Sequence, residues 1–179
     1  MENNRFIKYF TLATIMGMLI ASPFFVLAYD DKTAHPALTD EVVDLFNLYY
    51  PNIKIDDVDK TLIKKGSINE DSGTRWMHHF YDPIYNRGLW GYSSSKVWAL
   101  DTAGQAMLDI GYVQGGGSVY GTVTTKPFDS GTDYSWDRAI YDYVWADKER
   151  GLEGLGHILH LVEDASVPDH TRTATQSTV

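Results

Sequence analysis

The chain has 179 residues, of which 44% are hydrophobic and 22% are charged, so we expect one globular domain. Its formal net charge is −9 at pH 7, which argues against electrostatic capture of nucleic acid or anionic lipid, because both require a basic surface. The sequence contains no cysteine, which excludes disulfides and an acylated lipoprotein anchor. An exported domain of this composition has to be stabilised by its apolar core, by bound metal, or by both.

The N-terminal segment has the pattern of a secretory signal peptide. Arg5 and Lys8 form a basic start, residues 9–28 are an uncharged apolar run, and small residues precede position 29. We therefore expect a signal peptide over residues 1–28 and a mature domain over residues 29–179, in a secreted or periplasmic protein. A retained membrane anchor is the alternative, since the run is long enough to span a bilayer.

Helical spacing of apolar residues predicts a mainly α fold. The expected helices cover residues 38–50, 57–65, 93–109, 133–146 and 148–165. Residues 66–91 have no period and are rich in turn formers, which predicts a long structured loop of functional importance. Residues 111–132 are rich in Gly, Thr and Ser and form an insertion, in which 119–124 could be extended. In the last helix a core stripe is expected from Leu152, Leu155, Leu159 and Val162.

The end of the last predicted helix carries metal-binding side chains. His160 and Asp164 are four residues apart and therefore share a helix face. Pro168 disfavours helical geometry at the residue before it, so the helix should end nearby and leave His170 on a loop that can fold back. Imidazole and carboxylate are the ligands that zinc takes where cysteine is absent. This pattern predicts a zinc-binding helix end.

The histidines of the chain occur in three groups, each with carboxylates close by in sequence. One group is near the mature N-terminus, one is in the long loop and one is on the last helix. The six histidines are His35, His78, His79, His157, His160 and His170. Such a distribution predicts a multi-zinc site assembled from distant segments, whereas a chance arrangement of surface histidines and acids is the alternative.

Two motifs carry a family resemblance. The first follows G-x3-H-x3-D-x3-P-x-H from Gly156 to His170, and the second is the string HFYDP that begins at His79, with Gly66-x4-Asp71 upstream. In this order the motifs resemble those of the zinc-dependent bacterial phospholipase C family, over residues 35–170. The fungal single-strand-specific nucleases of the same superfamily share the helix motif, and the HFYDP string favours the phospholipase branch.

The resemblance implies a multi-helix bundle of the zinc phospholipase C and nuclease type, and it implies roles for six residues. One zinc ion would be surrounded by His79, His160, Asp164 and Asp71, with Asp164 bridging to a second ion. His35 would bind that second ion together with the free α-amino group of the mature N-terminus, at Tyr29 or Asp30. His170 would bind a third zinc ion. Asp71 would also be the catalytic residue, as a ligand or as a general base.

The chain departs from the family pattern after His170. The family completes its third zinc site with a His-x3-Glu pair, which is missing from the nine residues that follow His170. We therefore expect a domain that is incomplete at its C-terminus, with two zinc ions and an incomplete third site. Ser72 stands where the phosphatidylcholine enzymes of the family carry tyrosine, so a choline headgroup is not implied.

The expected function is that of a secreted zinc-dependent phosphodiester hydrolase of the phospholipase C type, in which metal-activated water attacks phosphorus. The expected substrate is a phospholipid or another phosphodiester, with transient contact to a membrane surface and without a stable nucleic-acid partner. Two alternatives remain: a zinc-dependent nuclease or nucleotidase of the same superfamily, and a non-catalytic, metal-stabilised fragment.

Several other residues near the motifs are expected to be structural. His157 is expected in the core, His78 at the surface, and Glu163 as a solvated acid on a helical face different from that of Asp164. Four tryptophans are expected in the core: Trp90, Trp98, Trp136 and Trp145.

Overall fold

The computed structural model describes residues 33–110 and 130–171. Within them the protein is mainly helical, as predicted, and β pairing is limited to an isolated antiparallel bridge between Asp82 and Arg87. The expected signal peptide (1–28), the expected N-terminal ligand at Tyr29 or Asp30, nearly all of the Gly-rich insertion and the C-terminal end lie outside the described residues.

Seven α-helices are present in these two ranges, together with three short 3₁₀ turns. The helices are α1 (Ala34–Tyr49), α2 (Asp57–Asn69), α3 (Ser95–Trp98), α4 (Thr102–Ala106), α5 (Trp136–Trp145), α6 (Lys148–Asp164) and α7 (Pro168–Thr171). The 3₁₀ turns are Arg75–His78, Leu89–Gly91 and Met107–Ile110. None of the helices in the described part of the chain has both the length and the apolar character needed to cross a bilayer.

Local capping explains where several helices begin. The side chain of Asp56 accepts a hydrogen bond from the backbone N–H of Asp59 at 2.8 Å and starts α2, and Asp147 starts α6 in the same way. The single helix predicted over 93–109 is wrong. Asp101 accepts from the backbone N–H of Gly104 at 2.8 Å, which starts a new helix, α4, and leaves α3 as a separate turn.

The core lies where α1, α2 and α6 meet. Val43, Ile63 and Leu152 are its buried members, one from each helix, and Leu155 and Leu159 pack against them. The prediction of a core stripe on α6 is thus right for Leu152, Leu155 and Leu159. It is wrong for Val162, which is 63% exposed.

Two glycines set the distance between α2 and α6. A Cβ atom added to Gly66 would lie 1.8 Å from the carbonyl oxygen of Glu153, and one added to Gly156 would lie 1.9 Å from the carbonyl oxygen of Ile63. The two backbones are therefore in direct contact, which no larger residue permits. This contact places the Ser67 carbonyl 2.6 Å from Nδ1 of His160, so the crossing also positions a predicted metal ligand.

Substitution of Gly156 by alanine is expected to destabilise the protein by about 3 kcal/mol, the upper part of the range for overpacked cores. The added methyl group meets backbone atoms of α2 that cannot rotate away. Urea denaturation measures the loss. Gly154→Ala is the matched control, because its methyl group approaches Ala139 of α5 at 2.8 Å and leaves the α2 crossing unchanged. Equal stability of the two variants would contradict this account of the crossing.

The tryptophans do not behave as the sequence predicts. Trp98 is buried, but Trp90 and Trp145 are 70% and 78% exposed and Trp136 is 42% exposed. The expectation that all four belong to the core is therefore wrong. Trp90 lies in the loop that follows His79, with a positive φ of 50°, and its indole projects into solvent together with Ile84 and Tyr85.

Candidate metal centre

Five elements bring the six predicted ligands to one place. His35 comes from the start of α1, Asp71 from the turn after α2, and His79 from the end of the first 3₁₀ turn. His160 and Asp164 come from α6, one helical turn apart, and His170 comes from α7. His170 was expected on a loop, and that is wrong, because Pro168 begins a short helix instead, where its fixed φ is suited to the first position.

Four ligand atoms surround the space next to Oδ2 of Asp164. Nδ1 of His79 lies 3.0 Å from Oδ2, and Nε2 of His160 lies 3.4 Å from it. Oδ1 of Asp71 lies 3.5 Å from the same His79 atom and 3.6 Å from the same His160 atom. Two ligands of a tetrahedral zinc ion with bonds of about 2.0–2.1 Å lie about 3.3 Å apart. Four of the six edges of a tetrahedron formed by these atoms are therefore close to that value. His79, His160 and Asp164 offer ligand atoms that all lie within 4.8 Å of one another, and so do His35, Asp71 and His160.

The other carboxylate oxygen of Asp164 faces two further imidazoles. Nδ1 of His170 lies 2.8 Å from Oδ1, and Nε2 of His35 lies 3.5 Å from it. His35 and His160 also stack, with ring centroids 3.7 Å apart. The Asp164 carboxylate is therefore approached by imidazoles on both oxygens. His170 contacts the same carboxylate as the others, although the resemblance assigned it to a separate third ion.

Several of these nitrogen and oxygen atoms lie close together without forming hydrogen bonds to one another. Nε2 of His160, both Asp164 oxygens and Nδ1 of His170 are buried and make no hydrogen bond with any residue in the described ranges. A buried polar atom without a partner is costly. Convergence of such atoms is what a site shaped for a cation requires, and imidazole with carboxylate is a donor set that fits zinc.

Two of the histidines are held in place at the ring nitrogen that faces away from Asp164. Nδ1 of His160 is 2.6 Å from the Ser67 carbonyl, and Nδ1 of His35 is 2.7 Å from Oε2 of Glu163. Nε2 of His79 makes no hydrogen bond within the described ranges and lies 3.8 Å from Oε1 of Glu70. Metal-binding histidines in proteins usually have such a carboxylate or carbonyl partner, which fixes the tautomer and the ring orientation.

The charges of the centre are coupled. Burial alone would raise the pKa of Asp164, but contacts with His160, His170 and His79 outweigh burial and hold that pKa well below its ordinary value. Burial lowers the pKa of His160, yet its contact with Asp164 gives a net increase. A cation bound beside Asp164 would compete with the proton of His160, so the affinity of the centre for metal should increase with pH.

A buried ionic network lies behind the centre. Glu70 accepts hydrogen bonds from Nε of Arg75 at 2.6 Å and from Nε1 of Trp98 at 2.9 Å, and it lies 2.5 Å from Nδ1 of His157. Burial raises the pKa of Glu70, but the Arg75 guanidinium and His157 lower it to about 2. Because Glu70 precedes Asp71, this network fixes the start of the ligand-bearing loop on α6.

Three expectations for neighbouring residues can be compared with the structure. His157 is buried and stacks on Tyr134 with centroids 4.0 Å apart, as a core histidine should. His78 was expected at the surface, which is wrong, since it is buried and stacks on Trp98 at 3.9 Å. Glu163 was expected to be solvated, which is also wrong, because α1 covers it and His35 binds it.

Solvent reaches the centre on one side. The side chains of Asp71 and His170 are each 25% exposed, whereas those of His35, His79, His160 and Asp164 are at most 4% exposed. Asp71 and His170 are therefore the members of the cluster that a molecule from solvent could contact first.

Comparison with protein-family models, with curated proteins and with solved structures finds no significant match to the chain.

Proposed function

We propose that the protein is a secreted zinc-dependent phosphodiester hydrolase of the phospholipase C type. The observation that carries the proposal is the buried carboxylate of Asp164, whose two oxygens face separate sets of imidazoles. The two sequence motifs support the same assignment, since Asp164 and the five other residues that the resemblance named form one cluster.

The candidate ligands would form two metal positions, one on each side of the Asp164 carboxylate. His79, His160, Asp71 and Oδ2 of Asp164 would hold one zinc ion, and His35, with Oδ1 of Asp164, would hold part of a second. Bound zinc supplies Lewis-acid polarisation of the phosphoryl group and activates water for attack on phosphorus. Asp71, a quarter exposed, would orient the attacking water and accept its proton. The buried histidines exclude bulk water from the far side of the centre.

A phospholipid fits the surface better than a nucleic acid does. The net charge of −9 opposes binding of a polyanion, which needs a basic footprint. The loop that follows His79 exposes Ile84, Tyr85 and Trp90, which are suited to the interface of a lipid bilayer. We propose a phospholipid substrate and transient contact with a membrane surface through this loop.

The test is metal content together with hydrolysis by the purified chain. We expect about two zinc ions per chain after dialysis, and release of a water-soluble phosphorylated headgroup from mixed phospholipid vesicles. A chelator should abolish the hydrolysis, and added Zn²⁺ should restore it. Faster cleavage of single-stranded DNA than of vesicles would replace the phospholipase by the nuclease of the same superfamily. Bound zinc without turnover of any phosphodiester would support a non-catalytic, metal-stabilised fragment instead.

A further inference from the structure

Glu163 is a buried acid that no proposed metal position uses. It is 8% exposed, and its two oxygens have different partners on α1. Oε2 lies 2.7 Å from Nδ1 of His35, and Oε1 accepts a hydrogen bond from the hydroxyl of Thr39 at 3.2 Å. One carboxylate thus joins the last turn of α6 to the first turns of α1, next to the candidate centre.

This contact determines which nitrogen of His35 is available as a ligand. A carboxylate only accepts hydrogen bonds, so the 2.7 Å contact favours the tautomer in which Nδ1–H of His35 donates a hydrogen bond to Glu163. In the neutral ring Nε2 is then unprotonated, and it is the atom that lies 3.5 Å from Oδ1 of Asp164. Thr39 holds the second oxygen and so limits rotation of the carboxylate.

We propose that Glu163 is the positioning residue for His35 and sets the affinity of the second metal position, on the Oδ1 side of Asp164. The proposal rests on the proposed metal centre. Its effect is expected at that position, because the Glu163 carboxylate contacts His35 and Thr39. His160, on the Oδ2 side, is oriented instead by the Ser67 carbonyl.

The experiment is a zinc titration of the Glu163→Ala variant against a chromophoric chelator. Loss of such a partner typically weakens metal binding about 10–100-fold. We expect that decrease for one of two bound ions and an unchanged affinity for the other. In Glu163→Gln the amide oxygen can still accept from Nδ1, so this variant should retain most of the affinity. A merely structural role would weaken both ions together, so the loss limited to one ion distinguishes the two roles.

Glu153→Ala is the matched control. It removes a buried glutamate of the same helix, about 15 Å away along the axis, which binds Lys65 and Asn69. This variant should keep both affinities. The proposal is overturned if Glu163→Ala binds both ions normally, or if it loses both equally.

A proton NMR readout separates this proposal from the proposed function. In the unmodified chain, a downfield Nδ1–H resonance of His35, assigned by its loss in His35→Gln, should disappear in Glu163→Ala. Its persistence would overturn the positioning role even where zinc binds. If the resonance behaves as expected but the unmodified chain binds no zinc, the metal centre and the proposed function fail, while the contact itself is verified.

Discussion

On the proposed function, the Asp164→Asn variant should lose both zinc ions and, with them, hydrolysis of phosphodiesters. Asparagine keeps the size of the side chain but removes the charge and offers one oxygen in place of two. Because the two oxygens face separate sets of imidazoles, neither metal position keeps its shared anionic ligand. Loss of metal removes several kcal/mol of transition-state stabilisation, so the rate should decrease roughly 10³-fold or more.

The two measurements are the zinc content of the variant after dialysis and its rate of phospholipid hydrolysis in vesicles. Asp169→Asn is the matched control, because it makes the same change at an exposed position beside His170 and should keep zinc and activity. Unfolding of both variants in the presence of chelator shows whether the fold survives. Unchanged zinc stoichiometry in Asp164→Asn would contradict the metal centre as a whole.

Helix boundaries could be predicted from the sequence where residues within or next to the helix determine them. The ends of α5 and α6 agree with the pattern to within three residues, because apolar spacing and the cap at Asp147 are local signals. The helix predicted over 57–65 stops just before Gly66, yet α2 continues to Asn69. A glycine that ends a helix and one that admits a neighbouring backbone look the same in sequence. Only the contact with Glu153 of α6 tells them apart.

In the candidate site, too, features set by neighbouring residues could be predicted, and contacts between distant segments could not. His160 and Asp164 share a helix face by spacing alone, and Pro168 pointed to His170, whereas the resemblance to a known family implied ligand roles for His35, Asp71 and His79. Glu163 was expected in solvent because its helical position differs from that of Asp164. It is buried by His35, 128 residues earlier in the chain, and no local pattern reports a contact of that separation. The sequence therefore could not predict which residues pair with the buried acids.

Replacement of Arg75 by methionine is expected to destabilise the protein by about 3–5 kcal/mol, the cost of leaving a buried charge without its partner. Arg75 binds Glu70 at 2.6 Å, the side chain of Gln105 at 2.9 Å and the Thr132 carbonyl at 3.0 Å. It is buried together with Glu70 and was not singled out by any sequence motif. Urea denaturation with chelator present measures the loss without a contribution from bound metal.

A double-mutant cycle with Glu70→Gln separates the charge from the packing. If the unpaired carboxylate is the main cost, the variant with both substitutions should be more stable than Arg75→Met alone, because it no longer contains an isolated buried anion. Trp98 and His157, which contact the Glu70 carboxylate, can still contact the amide that replaces it. Additive losses would instead assign the effect to packing of the long Arg75 side chain. In that case the network would not be what holds the Asp71 loop against α6.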